Sequence, residues 1–353
     1  MQNLKSKNKK VFVGMSGGVD SSVSAFLLKN KGYDVTGVFI KVWQPDFIEC
    51  TWREDRQDAM RICAELDIPF ITLDLEDEYK KGVIDYMVAE YKAGRTPNPD
   101  VFCNKEVKFG AFLNWALENG ADFVATGHYS QNKNNFLVKA KDTSKDQSYF
   151  LWTLKKDQLE KIIFPVGNLL KSEIREIAVE NNLATAKKKD SQGLCFIGKI
   201  DVKDFLKEFI KNKKGKILDL NTKKVSGEHD GVFFYTIGEK INGNYILEKD
   251  IDKNILYTST DKPNLFLNKE GEIILEQINF GEKLEKGKIY SVAERYHAEE
   301  TKIKIENIKE DKLENKITIK YNLIKKDKNF VYTSGQSLVF YKGNILIGGG
   351  IMK

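Results

Sequence analysis

Hydrophobic positions in the first 200 residues follow two patterns that alternate along the chain. Short apolar runs are typical of strands buried in a parallel sheet, and apolar positions that recur every three or four residues are typical of amphipathic helices. The runs lie at 11–16, 33–43, 69–75 and 122–129, and the helical patterns at 20–31, 53–66, 77–92 and 104–118. This alternation predicts an α/β fold with a doubly wound, mostly parallel sheet, whose ligand binds beyond the carboxyl ends of the strands.

The pattern changes after residue 210. Short β-like runs, such as GVFFYTIGE at 231–239, are separated by Gly, Asn, Asp and Lys with little helical periodicity between them. Such spacing predicts small β-rich or β-barrel domains. We therefore expect a catalytic domain over 1–208, a small β-rich central domain over 209–270 and a C-terminal β-barrel domain over 271–353.

Composition narrows the class of protein without identifying it. Of the 353 residues, 41% are hydrophobic and 31% charged, which excludes a disordered chain. We find neither a run of about 18 apolar residues nor a signal peptide, so we expect no membrane association and a cytoplasmic location. The net charge of +6 is spread over both halves, and it permits a polyanionic partner without requiring one.

The most distinctive local sequence is GMSGGVDSS, which spans residues 14–22 between the first predicted strand and the first predicted helix. Adjacent glycines allow a tight turn that brings backbone N–H groups to an anion, and the serine hydroxyls and the helix N-terminus add further donors. The sequence lacks the G-K-[ST] ending of a Walker loop and the spacing of a dinucleotide fingerprint. It is similar to the SGGxDS signature of PP-loop ATP pyrophosphatases, which cleave ATP between the α- and β-phosphates.

The four cysteines are too scattered for a disulfide framework or a zinc knuckle. Cys63 lies in a helical pattern and is predicted to pack, and Cys50 lies in a predicted loop without a motif. Cys103 is predicted near a helix N-terminus, where the dipole favours thiolate, and Asp100 can exchange a proton beside it. Cys195 lies in a glycine-flanked turn. From the residues alone, a buried packing role for Cys103 stays open.

Seven segments occur in the order found in bacterial tRNA-specific 2-thiouridylases, and the chain resembles this family over nearly its whole length. The segments are SGGVDSS, FIKVW, TPNPDVFCN, ATGHY, KDQSYFLW, SQGLCFIG and GQSLVFY. The resemblance implies that sulfur replaces the C2 oxygen of the wobble uridine, position 34, in tRNAs for lysine, glutamate and glutamine. It also implies that ATP, with Mg²⁺, adenylates this oxygen, and that a cysteine desulfurase or a sulfur-relay protein supplies a persulfide.

The resemblance further implies roles for individual residues. Cys195 would carry the persulfide, Cys103 would be the nucleophile that attacks the base or frees the sulfur, a transient disulfide would join them, and Asp100 would be the acid/base. The implied ATP contacts are Gly14, Met15, Ser16, Gly17, Gly18, Val19, Asp20, Ser21, Ile40 and Gly127. The implied contacts to the target base and tRNA are Asn98, Pro99, Asp100, His128, Lys145, Asp146, Gln147, Arg295, Tyr296 and Gln336. No protein ligand to a metal is assigned.

Several alternatives stay open at this point. His128 is also explained as a hydrogen-bonded histidine at a strand end, and Lys145 and Arg295 as solvated surface charges. Residues 235–250 and 295–300 depart from the family pattern. We therefore expect tRNA docking to differ from that of the family more than the ATP and thiol chemistry does. The rival functions are a PP-loop ligase or amidotransferase acting on a small carbonyl substrate, which needs no cysteine, and a non-catalytic tRNA-binding scaffold.

Overall fold

The first part of the chain folds around a five-stranded parallel sheet, as the alternating pattern predicts. The computed structural model describes residues 9–45, 47, 52–189, 201–261, 270–324 and 332–353. The strands in this part are β1 (Lys10–Gly14), β2 (Asp34–Lys41), β3 (Phe70–Asp74), β4 (Phe123–Thr126), the hairpin β5 (Ser130–Lys133) and β6 (Phe136–Lys139), and β7 (Ile162–Ile163). The sheet order is β3-β2-β1-β4-β7. The chain builds outward from β1 to β3 and then returns to the other side of β1, so the topological switch point lies between β1 and β4.

Helices cover both faces of this sheet. They are α1 (Val19–Asn30), α2 (Trp52–Glu65), α3 (Glu76–Tyr79), α4 (Tyr86–Lys92), α5 (Pro99–Phe102), α6 (Phe112–Glu118), α7 (Lys156–Leu159), α8 (Lys171–Glu180) and α9 (Val202–Lys207). Two π-helical segments, Lys80–Asp85 and Cys103–Ala111, join α3 to α4 and α5 to α6. Among the described residues, no helix has both the length and the apolar character that a bilayer crossing needs.

Successive side chains of β1 point to opposite faces of the sheet, and each face packs into a hydrophobic core of its own. Val11 and Val13 pack with residues of α1 and α8, whereas Phe12 packs on the opposite face with the helices between residues 99 and 118. A strand covered on both faces is apolar at nearly every position, which explains why its run is continuous in the sequence. The helix predicted at 104–118 begins earlier, at Pro99, because the Asn98 side chain accepts a hydrogen bond from the Val101 N–H and proline suits the first helical position.

The central part of the chain is a five-stranded sheet in the order β10-β11-β12-β8-β9. Its strands are β8 (Gly215–Asp219), β9 (Val225–His229), β10 (Lys240–Ile241), β11 (Asn244–Asp250) and β12 (Ile255–Ser259). The prediction of a β-like run over 231–239 is wrong, since Val232–Phe234 forms a 3₁₀ turn and residues 235–239 lie in no strand. The Val232 N–H donates to the Asn254 side chain rather than to a strand, and burial of Val232 and Phe234 produces a strand-like apolar pattern.

The last part of the chain is a closed β-barrel. Its strands are β13 (Glu270–Phe280), β14 (Ile289–Ala293), β15 (Thr301–Asp311), β16 (Lys316–Leu323), β17 (Ser337–Lys342) and β18 (Ile345–Met352). They pair in the order β13-β16-β15-β14-β17-β18, and β18 pairs back to β13. The hairpin β5–β6 extends the same sheet through the pairing of Val138 with Ile345, which the sequence does not predict. The domain boundaries at 208 and 270 stay a prediction.

Lys249 on β11 is a partly buried cation, and its desolvation leads to a prediction. Its ammonium donates to the Tyr235 carbonyl at 2.8 Å. Burial lowers the pKa of Lys249 to about 8, an effect that Glu239 only partly offsets. The folded state therefore releases this proton at lower pH than the unfolded state does, so stability increases as pH rises from about 8 to about 10. Below pH 8 the charged, desolvated lysine lowers the free energy of unfolding.

We expect Lys249→Met to stabilise the protein at pH 7 by about 2 kcal/mol, since removing the desolvated charge outweighs the lost hydrogen bond. The unfolding midpoint in denaturant, compared between pH 7 and pH 10, measures this effect. The advantage of the variant should shrink at pH 10, where wild-type Lys249 folds uncharged. Lys240→Met, at an exposed position on β10, is the matched control. A wild-type protein more stable than the variant at pH 7 would contradict this account.

Candidate functional site

The GMSGGVDSS segment forms a tight loop between β1 and α1. Gly17 has φ +72°, and a Cβ added to it would lie 2.3 Å from the Asp55 carbonyl oxygen, so the loop requires glycine there. Gly18 is the N-cap of α1. The Ser21 hydroxyl donates to the Gly18 carbonyl at 3.0 Å and accepts from the Ser16 N–H at 3.2 Å. These bonds hold the backbone N–H groups in a turn at a helix N-terminus, which suits a phosphate.

The second wall of this loop is Gly127, which follows β4. A Cβ at Gly127 would lie 2.8 Å from the Ser21 backbone nitrogen, so the backbones after β1 and β4 approach closely at the switch point. Ile40 lies on the other side: β2 extends beyond Val38, the register partner of Gly14, toward the same carboxyl edge. The loop, Gly127 and the carboxyl end of β2 thus lie at the same edge of the sheet and border one crevice, and the ATP contacts stay a prediction.

Two residues at this crevice were not predicted from the sequence. The Lys171 ammonium donates to both carboxylate oxygens of Asp20, at 2.7 and 2.9 Å, and the Tyr129 hydroxyl donates to Asp20 at 2.6 Å. The lysine also lies over the Tyr129 ring, 5.6 Å from its centroid. Lys171 is the first residue of α8 and lies 151 positions from Asp20, so only its place at the start of an amphipathic helix could have drawn attention to it. The ion pair between Lys171 and Asp20 places a cation at the mouth of the loop.

The loop predicted to bind the target base is held at both ends. At its start, the Arg95 guanidinium makes a bidentate pair with Glu90, which lowers the mobility of the chain there. At its end, Pro97 is buried and Asn98 caps α5. Asp100 lies in the first turn of α5. The two prolines and the cap together fix the backbone of 96–100.

Cys103 lies in the second turn of this helical segment and is fully buried. Because the helix begins at Pro99, Cys103 is further from the N-terminus than predicted, and the dipole effect fades within one turn. Its helix packs against the crevice: Phe112 lies 3.6 Å from a Cβ built on Gly14, and the Phe109 ring centroid is 5.8 Å from that of His128. Cys195 and Cys50 lie outside the described residues.

The prediction that His128 contacts tRNA is not supported by its position. The ring is buried between Phe109 and Phe164, and its Nδ1 lies 2.7 Å from the Thr126 hydroxyl. Burial lowers the pKa of His128 well below its ordinary value, and Lys108 adds to the shift. These surroundings agree with the alternative of a hydrogen-bonded strand-end histidine, and a contact with tRNA stays a prediction.

Asp146 and Gln147 also use their side chains within the protein. Asp146 accepts hydrogen bonds from the Ala140 N–H at 2.8 Å and from the Ser148 hydroxyl at 2.7 Å. Burial raises the pKa of Asp146, although these bonds oppose the shift. The Gln147 side-chain oxygen accepts from the Tyr129 N–H at 3.0 Å. These side chains hold the loop, and the contacts of Lys145, Asp146 and Gln147 with tRNA stay a prediction.

Residues of the barrel approach the target-base loop. Tyr296 packs on Phe150 with ring centroids 4.4 Å apart, and burial raises its pKa to about 12, with smaller contributions from the nearby carboxylates of Asp146 and Asp100. Arg295 is exposed at the edge of this group, with 65% of its side chain accessible. The Gln336 side chain donates to backbone carbonyls of the base loop and is thus engaged within the protein.

No group of three or more His, Cys, Asp or Glu side chains in the described ranges is arranged to hold a metal ion.

Three family models match the chain in succession. They are the tRNA methyl transferase HUP domain over residues 9–199, the tRNA methyl transferase PRC-barrel domain over 203–260 and the aminomethyltransferase beta-barrel domain over 270–352. Among solved structures, the chain is similar to a U34-tRNA thiolase of Methanococcus maripaludis, with 21% identity, a TM-score of 0.39 and coverage of 60% of this chain and 70% of that one.

Curated relatives match over almost the full chain. The tRNA-specific 2-thiouridylase MnmA of Oceanobacillus iheyensis is 42% identical, covering 98% of this chain and 95% of the relative. The protein of the same name from Streptococcus thermophilus is 42% identical over 97% of this chain and 95% of its own length. That from Francisella tularensis is 41% identical over 98% of this chain and 99% of its own. The chain therefore belongs to the tRNA-specific 2-thiouridylase family.

Proposed function

We propose that the protein is an ATP-dependent sulfurtransferase that forms 2-thiouridine at the wobble position of tRNA. One observation carries the proposal: the helical segment that bears Cys103 packs, through Phe112 and Phe109, against the glycine crevice at the switch point. A nucleotide-activating loop and a thiol on adjoining elements suit a reaction in which an oxygen is first activated and then replaced by sulfur.

Glycine lets the backbones around the crevice approach closely, as a phosphate-binding turn requires. A side chain at Gly17 would meet the Asp55 backbone, and one at Gly127 would meet the backbone of Asp20 and Ser21 at the N-terminus of α1. When bound, Mg²⁺ would neutralise part of the triphosphate charge. Gly18, Ser16 and Ser21 would hold the phosphates, and Lys171 would add a cation beside them.

The proposed sulfur transfer follows from the two cysteines. The C2 oxygen of the uridine attacks the α-phosphate of ATP, and pyrophosphate leaves. The outer sulfur of a persulfide on Cys195 then attacks C2 and displaces AMP. Cys103 attacks the inner sulfur, so that the bond to the transferred sulfur breaks and a Cys103–Cys195 disulfide forms, which an external thiol must reduce. Because Cys103 is buried, the site must open before this exchange.

Asn98, Pro99 and Asp100 would surround the extruded uridine, with Asp100 as the proton acceptor and donor. Tyr296 and Arg295, at the edge of the barrel, would contact the anticodon region, and Lys145 would contact a phosphate. The persulfide donor would be a cysteine desulfurase or a sulfur-relay protein, and the substrates would be tRNAs for lysine, glutamate and glutamine.

The test is a reaction of purified protein with undermodified tRNA, ATP, Mg²⁺ and a persulfide donor, followed by nucleoside analysis. We expect 2-thiouridine at position 34 and one pyrophosphate per thiolation. If a competent donor yields no 2-thiouridine, or if a methylated nucleoside forms instead, the proposal is wrong. If pyrophosphate forms only with a small carbonyl substrate and ammonia, the ligase or amidotransferase function is correct.

A further inference from the structure

We infer that the barrel segment 334–337 is a positioning element that sets the conformation of the target-base loop, residues 96–100, and that Gln336 acts on this loop rather than on tRNA. The inference rests on the proposed function, since it concerns the same loop. It assigns to the C-terminal barrel a part in the chemical step in addition to any part in tRNA binding.

One backbone hydrogen bond and two from a side chain join the two segments. The Thr96 N–H donates to the Ser334 carbonyl at 2.9 Å. The Gln336 side-chain amide donates to the Thr96 carbonyl at 2.9 Å and to the Pro97 carbonyl at 3.3 Å. Both carbonyls belong to the residues immediately before Asn98, so the barrel determines how the chain enters the base site.

Gly335 lets the two backbones come this close. It is buried with φ +91°, and a Cβ added to it would lie 2.8 Å from the Thr96 nitrogen and 2.9 Å from the Thr96 oxygen. Both contacts are to backbone, which cannot move aside like a flexible side chain. A side chain at this position would displace the base loop or break its bonds to the barrel.

The barrel segment is itself anchored by buried side chains. The Tyr149 hydroxyl donates to the Ser337 carbonyl at 3.0 Å, and the Trp152 indole donates to the Ser337 hydroxyl at 3.0 Å. The segment therefore has little freedom, and the chain that leads into Asn98 is held by its contacts with the barrel. Asp100 lies two residues further along the same fixed backbone.

The first test separates a positioning role for Gln336 from a tRNA contact. Gln336→Met keeps the length of the side chain and removes its donors. With saturating ATP and donor, we expect kcat for thiolation to fall about tenfold while KM for tRNA changes less than about twofold, since misplacement of a reacting group affects the chemical step. An increase in KM at unchanged kcat, or no change in either, would overturn the inference.

The second test uses a matched pair of glycines in the barrel. Gly335→Ala should lower kcat on the order of a hundredfold, because the added carbon displaces the base loop. Gly287→Ala is the control, since Gly287 also has positive φ, +81°, but nothing lies within 4 Å of an added Cβ. Equal losses in the two variants would assign the effect to barrel stability and refute positioning. Wild-type protein that forms no 2-thiouridine would instead refute the proposed function.

Discussion

Replacement of Cys103 by serine should lower the formation of 2-thiouridine on the order of a thousandfold or more, as loss of a nucleophile does in enzymes that use one. A serine hydroxyl is too weak an acid and too hard a nucleophile to attack a sulfur–sulfur bond, so the step that frees the transferred sulfur has no substitute. The buried site accepts serine sterically, since the two side chains differ by one atom. Single-turnover thiolation of tRNA measures the effect.

Cys63→Ser is the matched control for this experiment. Cys63 is buried on α2 beside Gly37, and burial raises its pKa to about 11, so it packs as an inert thiol, as the sequence predicts. Its replacement should reduce stability by about 1 kcal/mol and leave the thiolation rate unchanged. Full thiolation activity in Cys103→Ser would show that Cys103 is not the group that frees the transferred sulfur.

Local features of the site follow from the sequence because short-range patterns determine them. The paired glycines at 17–18 predict a turn that needs a positive φ, and Gly17 has it. The order of strands and helices up to residue 129 follows from the period of the apolar positions, although the helix after the base loop begins at Pro99 because the Asn98 cap outweighs the weaker periodicity there.

Contacts between distant parts of the chain could not be predicted in this way. The bonds from Gln336 to the base loop span about 240 residues, and the pairing of Val138 with Ile345 adds a hairpin of the first part to the barrel. Hydrophobic period carries no information about which surfaces meet. The family resemblance implies contacts of Asp146, Gln147 and Gln336 with tRNA, but it gives no sign of the hydrogen bonds that these side chains make within the protein.

Replacement of Lys171 by methionine should lower kcat/KM for ATP on the order of a hundredfold, comparable to losing a preorganised donor to a charged transition state. The lysine compensates Asp20 at the mouth of the glycine loop. Without it, the carboxylate faces the triphosphate unopposed, and repulsion weakens nucleotide binding and activation. Initial rates of tRNA-dependent pyrophosphate release, measured against ATP concentration, report this loss, whereas KM for tRNA should change little.

Lys141→Met is the matched control, because Lys141 is exposed and its ammonium pairs with Glu173 of α8, the helix that begins at Lys171. It should retain the wild-type rate. A second variant tests the cause: if repulsion from Asp20 explains the loss, Lys171→Met combined with Asp20→Asn should lose less than the two single losses multiplied together, since the neutral amide no longer repels phosphate. Multiplicative losses would mean that Lys171 and Asp20 act on ATP independently, and unchanged ATP kinetics in Lys171→Met would remove the lysine from the nucleotide site.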